Sequence, residues 1–489
     1  SIRDSLRPRG VTLNTGQGLF SFGEWQSGAN LSRGRANLAK PSTDDPRNRN
    51  EALAQDAEGW TKSIEKEYAN HIDNGSFEII DASEKPKGRN LVKMVWVFKT
   101  KRDGTRKSRL CVQGCSQVPG IDYDQTYSGA MRASSLRLLS SIAARKGHRI
   151  RRFDFAAAYL QGKLEEGEVV YCRPPPGYEP KDGNPIVYKV IKPIYGMAQA
   201  GRRWQRSIFP WLKQFGFVQS ESDPCIFICN RVGLGIRNET IHLGVYVDDL
   251  AISYEYDDPS SLYQDFISKL TTAWKVEDEG DITDLLGVEF TFSSGKVKLS
   301  QPRYIEKLVH EFSNDQVPGS AQANKRPYHK DLPQWVADAL TNDEEIDPVF
   351  VKKYQSLVGA LLYCATNTRP DVAYAVGMLC RAMAKPTPQL YEAGLQVVYY
   401  LYRTRDLGLT YEANDREMYG MSDSDWAVKH STSGHVFIFN QAAISWGSKK
   451  QKSVALSSCE AEIVAASEAA TEAIHLERFV REFDLKDSQ

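Results

Sequence analysis

The stretch GVYVDDLAIS, residues 244–253, places two adjacent carboxylates between two runs of apolar and β-branched residues. Flanking residues such as Val245 and Ile252 are typical of buried strands, and unpaired charges are costly to bring next to such a core. A hairpin turn is one explanation for Asp248 and Asp249, since Asp tolerates turn conformations. A hard divalent cation is another, because Mg²⁺ prefers carboxylate oxygens and keeps open positions for phosphate. The pattern predicts two strands around the Asp pair, with a turn or a metal site between them.

A third acid, Asp154, ends a strand-like segment in RRFDFAAAYLQG. Two Mg²⁺ ions bridged by such carboxylates would activate a hydroxyl and stabilise a leaving group in phosphoryl or nucleotidyl transfer. A P-loop ATPase is the rival interpretation, because its metal-binding strand also ends in acids and GMAQAGRR supplies the first half of a phosphate loop. That loop requires Lys and then Ser or Thr, whereas Arg202 and Arg203 follow Gly201. The sequence therefore disfavours the ATPase.

Net charge does not indicate a nucleic-acid partner, because Lys plus Arg and Asp plus Glu number 62 each. Local basic runs do, although such runs can also be solvated faces. They are KTKRDGTRKSR, RKGHRIRR, GRRWQR and SKKQK. Eight cysteines without a metal-ligand set predict reduced thiols in an intracellular protein. The chain has no apolar run of about 18 residues and no apolar N-terminal stretch, so we expect no membrane partner. Its first residue, Ser1, suggests a processed or partial piece of a larger protein.

A chain of 489 residues is too long for one core, so we expect several domains. Residues 1–50 lack apolar periodicity and look like a flexible linker. LVKMVWVFKTKRDGTRKSRLCVQG predicts a hairpin with its turn at Asp103 and Gly104. RRWQRSIFPWLKQFGF predicts a helix interrupted at Pro210. Helical patterns dominate after about residue 300, and strands return near Met418 before a final helix.

Several ordered strings resemble the reverse transcriptases of copia-type long-terminal-repeat retrotransposons. They are MVWVFKTKRDGTRKSRLCVQGCSQVPGIDYDQTYS, FDFAAAYLQGKLEEGEVVYCRPPPGY, IYGMAQAGRRW, QSESDPCIFI, YVDDLAI, LSQPRYIEKLVHEF, YQSLVGALLYCATNTRPDVAYAV and SDSDWA…STSGHVF…ISWGSKKQKSVALSSCEAE. Each string is weak alone, but their shared order from about Gly59 to Leu485 is specific.

The resemblance implies an α/β (α+β) fold, a right-hand polymerase with fingers, palm and thumb, followed by a connection and a truncated RNase H-like domain. We place fingers and palm at residues 51–300, thumb and connection at 301–415, and the RNase H-like part at 416–489. The implied reaction is RNA-directed DNA synthesis with two Mg²⁺ ions. The implied partners are an RNA template, a DNA primer or template and dNTPs, with retroelement capsid and integrase as further candidates. Cytoplasmic virus-like particles are the expected location, with nuclear entry left open.

Carried over by position, Asp154, Asp248 and Asp249 would be the palm's metal ligands. Tyr246 and Val247 would lie beside the primer terminus.

Four further residues would contact the nucleotide. Tyr159 stands where the family has the aromatic that excludes a ribose 2′-hydroxyl, although an ordinary core tyrosine fits too. Arg109 would grip the triphosphate with Lys101 as helper, and Lys101 is equally compatible with a solvated tip. Gly196 falls where backbone passes close to the nascent base pair, or is a simple turn glycine.

Two departures border the expected nucleotide site. Ala156 and Ala157 stand where the family usually has Lys and Thr, and MAQAGRRW stands where LKQAPRAW is more usual. Both leave the carboxylates intact, but they keep open an alternative: a degenerate or truncated copy that retains the fold and nucleic-acid binding without catalysis.

The last segment resembles an RNase H domain. Asp423 would be its first carboxylate, in preference to Asp425, and Glu462 matches the catalytic glutamate. Glu460 has a structural explanation, because Ser457 and Glu460 have capping-box spacing. The family carries further Asp ligands beyond residue 489, so we expect no autonomous RNase H cleavage from this chain.

Overall fold

The structure, a computed structural model, describes residues 45–100, 104–165, 167–180, 183–233, 236–317, 326–342, 344–414, 416–426 and 430–484. The helices are α1 Arg49–Gln55, α2 Ala57–Asp73, α3 Ala133–Lys146, α4 Ala158–Gln161, α5 Ala200–Phe215, α6 Leu262–Ala273, α7 Pro302–Ser313, α8 Leu332–Thr341, α9 Pro348–Asn367, α10 Ala373–Arg381, α11 Pro388–Arg403 and α12 Ser458–Asp484, with short 3₁₀ turns at Ala82–Glu84, Gly114–Ser116 and Pro370–Val372. The strands are β1 Phe77–Asp81, β2 Met94–Thr100, β3 Arg106–Val112, β4 Arg149–Phe155, β5 Val170–Cys172, β6 Ile186–Val190, β7 Val218–Gln219, β8 Ile226–Gly233, β9 Ile236–Tyr246, β10 Asp249–Tyr254, β11 Val276–Asp281, β12 Asp284–Leu285, β13 Val288–Ser293, β14 Lys296–Ser300, β15 Leu409–Glu412, β16 Tyr419–Asp425, β17 Thr432–Phe439 and β18 Ala442–Lys450. The fold is mixed α/β, as expected from the sequence.

A six-stranded antiparallel sheet forms the centre, with strand order β11-β4-β10-β9-β8-β7. Side chains alternate between its two faces, so each strand contributes to two cores. Leu250 and Ile252 of β10 pack with α5 and α6 on one face, whereas Ala251 packs with α3 on the other. The predicted pair of strands around the Asp pair is confirmed as β9 and β10.

The N-terminal part adds the β2–β3 hairpin and a small sheet of order β1-β6-β5. Trp60 of α2 packs edge-on against Phe98 of β2, with ring centroids 5.1 Å apart. The predicted hairpin is confirmed, since Thr100 pairs with Arg106 in its last described register. Asp103, predicted in the turn, lies outside the described residues.

Helices α7 to α11 enclose a separate apolar core, which includes Ile305, Leu357, Leu361 and Val398. A four-stranded sheet of order β12-β13-β14-β15 shares an apolar core with α3. The predicted helical composition after residue 300 is confirmed by these elements.

The C-terminal sheet, of order β16-β17-β18, and helix α12 share one apolar core with α3. Leu139 and Ile142 of α3 belong to the same cluster as Ile444 of β18 and Phe479 of α12. The C-terminal segment is therefore packed onto the central sheet's helix.

A buried arginine joins three elements at this junction. The guanidinium of Arg137, in α3, donates to the carbonyl of Ile444 at 2.8 Å and to those of Thr366 and Asn367 at 2.7 and 2.9 Å. It also lies 4.0 Å above the ring of Trp446. Since the fork of an arginine fits several acceptors at once, Arg137 fixes α9 and β18 to α3.

The predicted interruption at Pro210 is wrong, because α5 runs through it from Ala200 to Phe215. Proline removes one helical hydrogen bond, but burial of the apolar face on both sides outweighs that loss. Trp204 and Ile208 before the proline and Leu212 after it are all fully buried.

Candidate active site

The two adjacent aspartates lie at the hairpin turn between β9 and β10, and Asp249 is the first residue of β10. Val247 occupies the turn with φ of 55°, a left-handed conformation that is strained for a β-branched residue. The indole Nε1 of Trp204 donates to the carbonyl of Val247 at 2.5 Å, which fixes the turn against α5. The hairpin explanation for the Asp pair is therefore confirmed, and it does not exclude a chemical role.

The strand register brings the predicted acids together. Asp154 of β4 is the direct partner of Asp249 of β10, and Asp249 pairs in turn with Tyr246 of β9. On the other side of β4, Glu277 of β11 is the direct partner of Asp154. Directly paired residues of antiparallel strands point to the same face, so these four side chains form a row across the sheet.

The acids influence one another electrostatically. Burial, followed by the charges of Asp248 and Asp249, raises the pKa of Asp154 to about 6, while Arg152 and Lys107 act in the opposite direction. Burial also raises the pKa of Asp249, against the effect of the adjacent Arg152. Repulsion among partly buried carboxylates of this kind is relieved by a bound cation.

The donor chemistry of Asp154, Asp248 and Asp249 fits Mg²⁺, which is bound through carboxylate oxygens. In the described part of the chain, however, no group of three or more His, Cys, Asp or Glu side chains is arranged so that it could hold a metal ion. Asp249 is instead bonded to Arg152 at 2.9 Å. The three acids are thus neighbours, and Arg152 engages one of them.

The basic hairpin faces this row. The guanidinium of Arg109, in β3, lies 4.8 Å above the ring of Tyr195, and that ring is 4.7 Å from the ring of Tyr159. Burial raises the pKa of Tyr159 to about 12, and the charge of Asp248 adds to the effect. Arg109, Tyr159 and the Asp pair therefore share one site. Lys101, the predicted helper of Arg109, lies outside the described residues.

Gly196 lies directly beneath β3. Its φ is 86°, and a Cβ built there would be 2.2 Å from the carbonyl oxygen of Val112. Glycine is therefore required both by the backbone conformation and by the close approach of another strand. The expected contact with a nascent base pair stays a prediction.

Three residues at the site were missed in the sequence: Arg152, Tyr195 and Trp204. Arg152 precedes Asp154 by two residues, so strand alternation alone could have placed it on the acid face. Tyr195 and Trp204 come from other parts of the chain, and no local pattern indicates that Tyr195 reaches Arg109 and Tyr159 or that Trp204 reaches the hairpin turn.

The predicted RNase H residues lie at the end of β16 and the start of α12. The backbone N–H of Ser424, next to Asp423, donates to Glu462 Oε1 at 3.3 Å. Asp425 accepts a bond from the N–H of Thr432 at 2.5 Å, which gives it a structural task. The N–H of Glu460 donates to Ser457 Oγ at 3.2 Å, as its capping-box spacing indicates. Glu462 thus contacts the residue that follows Asp423, and the function of both acids stays a prediction.

Across the described residues, no helix is both long and apolar enough to cross a membrane.

Comparison with known sequences and structures identifies relatives of this chain. The family model described as "Reverse transcriptase (RNA-dependent DNA polymerase)" matches residues 77–322. The Retrovirus-related Pol polyprotein from transposon TNT 1-94 of Nicotiana tabacum is 32% identical over 447 residues, which cover 88% of this chain and 32% of that protein. The corresponding polyprotein from transposon RE1 of Arabidopsis thaliana is 31% identical, covering 86% of this chain and 28% of that protein.

A shorter relative and a solved structure complete the comparison. The putative transposon Ty5-1 protein YCL074W of Saccharomyces cerevisiae is 30% identical, and the match covers 65% of this chain and 99% of that protein. The structure of the foamy viral protease-reverse transcriptase in complex with dsDNA has a TM-score of 0.49 at 12% identity, covering 85% of this chain and 72% of that one. This chain spans about a third of the plant polyproteins it matches. The chain belongs to the reverse transcriptase (RNA-dependent DNA polymerase) family, and it is similar to the Pol polyproteins of copia-type retrotransposons.

Proposed function

We propose that this chain extends a DNA primer on an RNA or DNA template by nucleotidyl transfer. One observation carries the proposal: Asp154 and Asp249 are direct partners on adjacent strands, with Asp248 at the turn beside them, and a basic hairpin faces the row. Such a site combines acids for cations with a guanidinium for phosphate.

Asp154, Asp248 and Asp249 would hold two Mg²⁺ ions. When bound, these ions would lower the pKa of the primer 3′-hydroxyl and offset the charge of the leaving pyrophosphate. The chain's own residues would orient the reactants. Arg109 would neutralise the charge of the triphosphate. Stacking on Tyr195 would hold the Arg109 guanidinium in place.

Other residues would set geometry and selectivity. Tyr159 packs edge-on against Tyr195, so its ring is fixed and could exclude a ribose 2′-hydroxyl. Tyr246 and Val247 would lie beside the primer terminus, where the hydrogen bond from Trp204 holds the turn. In this proposal the six-stranded sheet is the palm, the β2–β3 hairpin belongs to the fingers, and α7 to α11 form thumb and connection.

Primer extension on an RNA template with Mg²⁺ tests the proposal. Asp248→Ala should reduce extension by at least about two orders of magnitude, since a metal ligand contributes several kcal/mol of charge stabilisation. Asp278→Asn is the matched control, because Asp278 is an acid of β11 that pairs with Arg151 at 2.8 Å. It should extend primers like the unaltered protein.

Two results would contradict the proposal. Equal extension by Asp248→Ala and the unaltered protein would reject the assigned site. Extension by neither, with primer–template still bound in a gel-shift assay, would favour a copy that keeps binding without catalysis. Phosphate contacts should make that binding fall steeply with salt. Association with retroelement capsid and integrase in cytoplasmic particles is the corresponding proposal for partners and location.

A further inference from the structure

Arg152 places a positive charge beside the carboxylate row. It precedes Asp154 by two residues in β4, so both side chains lie on the same face of the sheet. Its Nε donates to Asp249 Oδ1 at 2.9 Å, and its Nη2 lies 2.9 Å from the same oxygen. The two side chains are only 24% and 15% exposed. Solvent therefore screens this pair less than an ordinary surface ion pair.

A second anchor holds the guanidinium in place. Nη1 of Arg152 donates to the carbonyl oxygen of Asp284 at 3.2 Å and lies 3.8 Å from Oδ1 of the same residue. All three guanidinium nitrogens thus have partners: Nε and Nη2 share one oxygen of Asp249 in β10, and Nη1 is bonded to Asp284 in β12. Arg152 is consequently fixed beside the acid row, against an oxygen that a metal ion would also use.

We propose that Arg152 is a positioning residue that acts through Asp249: it is the internal counter-ion of this carboxylate, and a divalent cation must displace it to bind there. The inference rests on the proposed function, because it takes Asp249 as a metal ligand. The negative charge of a bound triphosphate offsets Arg152, so the cation at Asp249 binds best together with the nucleotide.

The size of the effect follows from the same electrostatics. An arginine beside an aspartate disfavours a proton on that carboxylate by roughly tenfold to a thousandfold, and it disfavours a metal cation for the same reason. Because the pair is partly exposed, we expect the lower end of that range. Arg152→Gln should therefore bind Mn²⁺ about tenfold more tightly than the unaltered protein.

Electron paramagnetic resonance of free Mn²⁺ measures this affinity directly on the full chain, without nucleotide or nucleic acid. Arg152→Lys keeps the charge and should bind Mn²⁺ like the unaltered protein, which separates charge from a merely structural role. Arg151→Gln is the matched control, since Arg151 immediately precedes Arg152 in β4 and pairs with Asp278. Adding Asp249→Asn to Arg152→Gln should abolish the gain in affinity.

The outcomes distinguish this inference from the proposed function. Unchanged or weaker Mn²⁺ binding by Arg152→Gln, with the unaltered protein binding Mn²⁺, would overturn the role of Arg152 and leave the polymerase site standing. No Mn²⁺ binding by any of the proteins would overturn the metal site itself and this inference with it. Circular dichroism of each variant verifies that it is folded.

Discussion

Acidification should weaken the fold through His242, a fully buried histidine of β9. Its ring stacks on His148 at 5.6 Å and lies 4.9 Å from the ring of Phe483 in α12. Burial, followed by the charges of Lys146 and His148, holds its pKa well below 6.5. The imidazole of His242 therefore takes up a proton near pH 6.5 in the unfolded chain but stays neutral at this pH in the folded chain.

The sign follows from this difference. Stability from His242 is fully present above pH 6.5 and is lost as the pH falls below 6.5 towards the folded-state value. Each pH unit in that window costs about 1.4 kcal/mol, so lowering the pH from 6.5 to 5.0 should remove about 2 kcal/mol. Urea denaturation at pH 7.0 and 5.0 measures the loss.

His242→Phe supplies the comparison, because other titrating groups contribute equally to both proteins and cancel. The unaltered protein should lose about 2 kcal/mol more than His242→Phe between the two pH values. His310→Gln is the control, since His310 is exposed and the hydrogen bond that its ring donates to the Asp315 carboxylate raises its pKa. Equal losses by His242→Phe and the unaltered protein would refute the reasoning.

Two substitutions test the packing around the site. Gly196→Ala should cost about 2 kcal/mol or more, because an alanine there is strained by its φ and its Cβ would overlap the carbonyl of Val112. Urea denaturation measures the loss, and unchanged stability would contradict the geometry. Arg137→Met should destabilise the fold by about 3 kcal/mol, since it leaves three buried carbonyls without their donor. Thermal unfolding measures this loss, and the stability of Arg137→Lys should lie between those of Arg137→Met and the unaltered protein. An Arg137→Met protein as stable as the unaltered one would contradict the role of Arg137 at this junction.

Local periodicity carried the prediction of the central strands and of the acids at their ends. The flanks of Asp248 and Asp249 alternate as a strand does, and a hairpin turn needs no information from elsewhere in the chain. Asp154 could be expected at a strand end for the same reason. The pairing of Asp154 with Asp249 across β4 and β10 follows only from the family resemblance, because neither segment alone indicates the order of the strands.

The remaining features depend on residues far apart in sequence. Arg152 and Asp249 are separated by 97 positions, so their bond requires the strand order of the sheet. Tyr195 joins Arg109 and Tyr159 by packing, which no periodicity signals. Pro210 was read as a helix breaker from its local effect, and the buried face of α5 outweighs that effect only once the sheet is present.

The core shared by α3, β18 and α12 has an evolutionary consequence. Arg137 donates hydrogen bonds to backbone carbonyls of α9 and β18, and Lys146 donates to the carbonyl of Phe483 at 3.2 Å. Replacing residues 416–489 by an unrelated domain would remove the carbonyls of Ile444 and Phe483 that accept these bonds. We therefore expect the segments before and after residue 416 to be exchanged between retrotransposon copies only together. Chimeras of two divergent copies should be tolerated far more readily when the crossover lies within one of these segments than when it lies at their boundary.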